Sequence, residues 1–180
     1  MIINVKTNIS LELIHESHAL PIFNLVDRNR VFLREWLSFV DRMDSVSFAE
    51  NFVKGSMKRN EEGQEYAFVI AENGIVIGRI GVYKIDHQNK IGEIGYWLAE
   101  YVQGKGITTS ACEALLSFCF NELQLNRIEI KCGTKNIRSQ AIPVKLGFQM
   151  EGILRDAEWL HDQFIDLNLY SLLKSEYITS

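Results

Sequence analysis

The sequence predicts a mixed α/β domain of the α+β kind, and three observations carry that expectation. Asn73-Gly74 stands between two β-rich runs, residues 66–71 and 75–83, and Asn-Gly in that setting is a strong short-range hairpin signal. A further β-rich run over residues 91–98 extends the hairpin into a meander. Beyond it the order is strand, helix, strand, which demands a crossover and therefore a locally parallel pair inside a mostly antiparallel sheet. With 180 residues, 47% of them hydrophobic, and no linker, repeat or low-complexity stretch, the whole of 1–180 reads as a single domain.

The elements follow in order. Residues 9–14 alternate apolar and polar side chains, the period of a strand. Ser17 reads as the N-cap of a helix with Pro21 in its first turn, and a second helical piece covers residues 30–37. Ser47-x-x-Glu50 reads as a capping box for a third helix carrying Phe48, Phe52 and Val53. After the meander, Gly104 and Gly106 open a helix with Ala111, Leu115, Phe118 and Leu123 inward. A strand at 127–132, a short helix near 138–146 and strands near 148–159 and 164–173 complete the chain.

Composition excludes several functions. A formal charge of −4 lacks the concentrated positive field that nucleic-acid binding needs. The apolar run 66–82 is broken by Glu72, Asn73 and Arg79, short of the ~20 residues that cross a bilayer. The first residues lack a basic stretch, an apolar core and a small-residue cleavage site, so a cytoplasmic setting is expected. Cys112, Cys119 and Cys132 form no C-x-x-C pair, and His15, His18, His87 and His161 have no metal-ligand spacing. Buried thiols and no metal site are the expectation.

Gln103-Gly104-Lys105-Gly106-Ile107-Thr108 lies between a strand and a helix, where successive N–H groups at the positive end of a helix dipole suit an anion. A P-loop would need glycine at position 99 and Ser or Thr at 106, and these are Ala99 and Gly106. A dinucleotide fingerprint would need glycine where Thr109 stands. From the loop alone, a glycine turn that merely starts a helix is equally consistent.

The surrounding chain resembles the GNAT N-acetyltransferases, whose acetyl-CoA loop reads Q/R-x-x-G-x-G/A. Gln103 and Gly106 match, and Thr108 departs from the final Gly or Ala. Similarity to the RimJ/RimL branch rests on Glu93-Ile94-Gly95-Tyr96-Trp97-Leu98, Asn136-x-x-Ser139, Lys145-Leu146-Gly147-Phe148, Glu151-Gly152-x-x-Arg155 and Asp166-x-x-x-Tyr170, over residues 67–177. Any one of these motifs is weak. Their combination and order are specific.

The resemblance implies a central, mostly antiparallel twisted sheet with flanking helices, in which strands 91–98 and 127–132 splay apart to admit the pantetheine arm of acetyl-CoA. Backbone groups near Leu98 and the loop residues Gln103, Gly104, Lys105, Gly106, Ile107 and Thr108 would hold the coenzyme, with Asn136 on its arm. Ser139 would assist departure of the thiolate, with helix capping as its alternative. Glu93 would be the base acting through water, with a solvated surface carboxylate as its alternative. Tyr96, Trp97 and Trp159 read as core or pocket wall. The implied acceptor is a protein N-terminal α-amine or a small-molecule amine, and a homodimer is compatible with the branch. Two other classes use the same residues: a non-catalytic acetyl-CoA sensor, and an interaction module whose loop binds nothing.

Overall fold

The computed structural model describes residues 1–177. One eight-stranded sheet runs through the molecule in the order β1-β2-β3-β4-β5-β6-β8-β7. The strands are β1 Ile2–Lys6, β2 Ile9–Leu13, β3 Tyr66–Glu72, β4 Ile75–Asp86, β5 Ile91–Leu98, β6 Arg127–Gly133, β7 Gln149–Leu160 and β8 Gln163–Leu173. Helices α1 Ala19–Arg28, α2 Arg30–Arg34 and α3 Val46–Glu61 cover one face, α4 Ile107–Ser117 and α5 Ile137–Lys145 the other. Every neighbouring pair is antiparallel except β5 with β6.

Two cores result. Phe68, Ile80, Ile94, Leu115, Phe120 and Ile128 pack between sheet and α4, while Ile22, Val26, Met43, Val53 and Val69 pack between sheet and α1–α3. Beneath α3 a buried charge cluster joins helix to sheet. Glu65 is 5% exposed and Arg79 7%; the Ser56 hydroxyl donates to Glu65 (2.5 Å) and accepts from Arg79 (2.7 Å). Arg59 donates to Glu65 as well, at 2.6 Å, and the Arg79 guanidinium lies 4.4 Å from the centre of the Phe52 ring. Removing one partner of a buried ion pair costs about 3–5 kcal/mol, because the other is left buried and uncompensated. Glu65→Ala is therefore expected to lower Tm by about 6–20 °C in thermal denaturation, at roughly 2–4 °C per kcal/mol for a chain of this size. An unchanged Tm would count against the cluster as a support of α3.

Several local readings are corrected. Residues 2–6, unassigned above, form edge strand β1; their alternation is real but too short to stand out until β2 pairs with it. The hydroxyl that caps α3 is Ser45, accepting from the Phe48 N–H at 3.2 Å, so Ser47 falls inside the first turn. Ser17 lies within a 3-10 turn, Glu16–His18, that precedes α1. His15 and His18 cap that turn reciprocally, which accounts for their spacing without a metal. The helix from Gly106 does not run uniformly to Leu123: after Ser117 it widens into a π turn, Phe118–Glu122. Phe118, Cys119 and Phe120 are consecutive and all buried, which a 3.6-residue period cannot keep on one face.

The β7–β8 connection is a two-residue hairpin, with His161 and Asp162 both at positive φ (48° and 62°), as a type I′ turn requires. Upstream, β7 bulges between Leu154 and Glu158. Asp156 takes φ 49° there, and its N–H donates to the Asp166 carboxylate at 2.9 Å. The bulge brings Glu158 opposite Ile165. Farther along, Arg127 forks onto Glu151 (2.7 and 2.6 Å) across β8, tying β6 to β7. That pair occupies the first residue of the Glu151-Gly152 motif with a structural role.

Candidate active site

Parallel pairing of β5 with β6 covers just three positions, ending at Glu93 opposite Glu129. From Ile94 to Leu98, β5 keeps β4 as a partner but has left β6, which stays paired with β8 along its whole length. The strands splay, and backbone groups on the facing edges are freed for a ligand that can pair with them. A cavity of about 740 Å³ occupies the gap. Its lining joins loop and helix residues Gln103, Thr108, Asn136 and Ser139 on one side to Phe32, Trp36, Leu37 and Glu158 on the other. The cavity passes through the sheet.

On the first side, Gly104 and Gly106 have φ 76° and 71°, and a Cβ at either would meet no atom within 4 Å. Glycine is needed there for its backbone, not for packing. No side chain caps α4, so the N–H groups of its first turn are available to an anion. Lys105 is exposed, whereas the Ile107 side chain is buried in the core, so its amide alone can reach a ligand. Gln103 donates its side-chain amide to the Leu98 carbonyl at 2.9 Å, pinning the loop to the end of β5. Lys135 and Arg138 add positive charge to this end of the lining.

The splay itself carries Tyr96, Cys132 and Ser139. Pro143 has no N–H and leaves the Ser139 carbonyl without an intrahelical partner. The Tyr96 hydroxyl donates to that carbonyl at 3.0 Å, which joins α5 to β5 across the cavity. Burial pushes the Tyr96 phenol far up, so it stays protonated and remains a donor. The Ser139 hydroxyl lies 3.4 Å from the Tyr96 oxygen and 3.3 Å from the Cys132 sulfur. Burial raises the Cys132 thiol too, although both hydroxyls oppose the shift. Asn136 caps α5, its side-chain oxygen accepting from the Ser139 N–H at 3.1 Å, and it lines the cavity as well.

The opposite side is acidic and aromatic. Glu93 is held between Lys131 (2.7 Å) and Lys84 (3.1 Å). Burial works against its charge, but the Lys131 hydrogen bond and the two ammonium groups outweigh it and keep the carboxyl below the usual range. Such a carboxylate is a poor proton acceptor. Glu158, which sequence reasoning did not single out, differs in every respect. It lines the cavity and has no hydrogen-bond or ion-pair partner among the described residues. Burial first, and the nearby Glu93 charge second, push its carboxyl above the ordinary value, against a smaller pull from Lys84. No motif marks it; the signal that finds it is a carboxylate in a cleft with a raised pKa and no partner.

Comparison with known proteins agrees with this geometry. A family model described as an acetyltransferase (GNAT) domain matches residues 8–149. The ribosomal-protein-serine acetyltransferase of Escherichia coli K12 is 33% identical over 169 residues, covering 94% of each chain. The structure of RimL, a ribosomal alpha-N-protein acetyltransferase solved with coenzyme A joined to a cysteine by a disulfide, superposes with a TM-score of 0.93 at 29% identity over 96% of this chain and 98% of that one. The microcin C7 self-immunity acetyltransferase MccE, solved with acetyl-CoA and AMP, gives 0.90 at 29% identity over 94% of each. Domain match, relatives and splayed, loop-bearing cavity together place the chain in the GNAT superfamily, RimL/RimJ-like branch: it belongs to the acetyl-CoA-dependent N-acetyltransferases.

Proposed function

We propose that the acceptor is the α-amine of a protein N-terminus and that Glu158 takes its proton. The observation that carries this reading is the unpaired Glu158 carboxylate on the cavity wall opposite the coenzyme loop. The coenzyme diphosphate sits on loop 103–108 and the first turn of α4, the pantetheine arm in the splay beside Leu98 and Asn136. The neutral amine attacks the thioester carbonyl from the Glu158 side. A C–N bond forms, the amine proton passes to Glu158 directly or through a water, and the C–S bond breaks with its electron pair on sulfur. Ser139 donates to that thiolate.

An α-amine suits this site. With a pKa near 7.7–8.0 roughly a tenth of it is neutral at pH 7, against about 0.04% of a lysine amine, so a carboxylate of moderately raised pKa is an adequate base. Glu93 then contributes through its charge, which lifts Glu158 toward the working pH. The RimL likeness favours a ribosomal protein as acceptor and the cytoplasm as the setting. A second copy of the chain is the proposed partner of edge strand β7, whose Ile153 and Trp159 are exposed. The test is thiol release from acetyl-CoA over a panel of N-terminal peptides, polyamines and amino sugars. Turnover confined to polyamines or sugars would overturn the acceptor assignment, and coenzyme binding with no turnover on any amine would favour a sensor.

Ser139 gives a separate expectation. A thiol with a pKa near 8.5 is a fair leaving group, so one donor is worth a moderate factor. Ser139→Ala is expected to lower kcat about 10- to 1,000-fold, with the coenzyme-induced melting shift retained. An unaltered kcat would leave Ser139 as a residue of the α5 first turn and no more.

A further inference from the structure

We propose that Trp36 sets the size limit of the acceptor and that Gly133 is what lets it do so. Gly133 ends β6 on the same face as Lys131, one residue beyond Cys132. A Cβ built on Gly133 would stand 3.1 Å from Trp36 Cζ3, 3.4 Å from Cε3 and 3.6 Å from Ile165 Cδ1. The benzene edge of the indole therefore rests on bare strand backbone, beside Ile165. Ile165 is the cross-strand partner of Glu158, and all four residues line the cavity. An amine that reaches Glu158 passes along the Trp36 ring.

The backbone that carries the ring is fixed at both ends. The Trp36 backbone N–H donates to the Leu33 carbonyl at 3.2 Å, which holds the main chain that carries the indole. The segment is clamped from outside, since His161 at the β7–β8 tip bonds the Arg34 carbonyl and Arg34 bonds Asp41 at 2.6 Å. Phe32 and Leu37 close the remaining wall. What lies next to the reacting amine, the first side chain of a peptide acceptor, thus meets a fixed aromatic plane over a strand that could not lie so close with any larger residue at 133.

The inference rests on a peptide acceptor, and the test separates the two. Thiol release is measured with wild type, Trp36→Ala and Trp36→Phe on short peptides identical except for Ser, Ala, Leu or Phe at the first position. Wild type is expected to favour the small first residues. In Trp36→Ala the Ser-to-Leu ratio of kcat/KM should fall at least about 10-fold, the scale of fit or misfit by a methylene or more in an apolar pocket. Trp36→Phe, which keeps an aromatic plane and the packing on Gly133, should fall between. The coenzyme-induced melting shift reports folding and loop integrity in each variant. Unchanged ratios in both variants, with peptide turnover in wild type, overturn the role of Trp36 while leaving the peptide reading intact. Absence of peptide turnover in wild type, with turnover on a small amine, overturns both.

Discussion

Glu158→Gln is expected to lower kcat/KM on an N-terminal peptide about 100- to 1,000-fold at neutral pH, within the range of a positioned general base. Glutamine keeps the shape and cannot take the proton. The pH dependence carries the sign. Burial and the Glu93 charge raise the Glu158 pKa, so the working, ionised form is lost as pH falls through that raised value. The wild-type and variant profiles should therefore be widest apart at neutral pH and converge on the acid side. Glu93→Gln removes the neighbouring negative charge and leaves the Lys84 ammonium without its carboxylate, and both changes lower the Glu158 pKa. Its acid limb should move to lower pH. Stability supplies the control. A carboxyl whose folded pKa is raised disfavours the folded state above that pKa, so Glu158→Gln should not lower Tm at pH 7. Equal kcat/KM for wild type and Glu158→Gln at neutral pH would remove Glu158 from proton transfer, and superimposable pH profiles for Glu93→Gln would remove Glu93 from the tuning.

Gly106→Val is expected to abolish the stabilisation that acetyl-CoA confers. A ligand at ~100 times its dissociation constant, binding only the folded state, adds about 2.7 kcal/mol, or roughly 5–11 °C in Tm for a chain of this size. Valine at φ 71° forces a β-branched side chain into the left-handed region, at about 1–2 kcal/mol, and directs its methyls out from the loop where phosphates must approach the backbone. The two effects separate in one experiment. Strain lowers Tm without ligand, whereas obstruction removes the increment on adding ligand. A folded Gly106→Val protein that keeps the full increment would move the diphosphate away from this loop.

The chain order already held much of the fold. Asn73-Gly74 placed the β3–β4 hairpin, the strand–helix–strand order around Gly104 and Gly106 required the parallel pair, and the glycines between β5 and α4 marked a loop suited to an anion. Each is a local property, set by backbone conformation, turn chemistry or hydrogen-bond period, and short-range rules act on neighbours in sequence. Pro143 orphans the Ser139 carbonyl by the same local chemistry, whereas the Tyr96 hydroxyl that satisfies it comes from β5 and was visible only in the fold.

What tertiary structure decided was the acceptor side. Glu93 stands in a motif and looked like the base, yet two lysines, one on β4 and one on β6, depress its basicity. Glu158 stands in no motif, and becomes the stronger candidate because a bulge turns it opposite Ile165 while burial and the Glu93 charge raise its pKa. Trp36 over Gly133 is likewise a contact between residues far apart in the chain. The physical reason is common to all three. Turn and helix preferences are written in adjacent residues, whereas desolvation and charge coupling depend on which distant side chains fold in around a group. The sequence by itself therefore determined the family fold and, through its likeness to that family, the loop expected to hold the coenzyme, whereas tertiary packing alone decided which carboxylate in the cavity is left without a partner and where an aromatic ring rests on bare strand backbone.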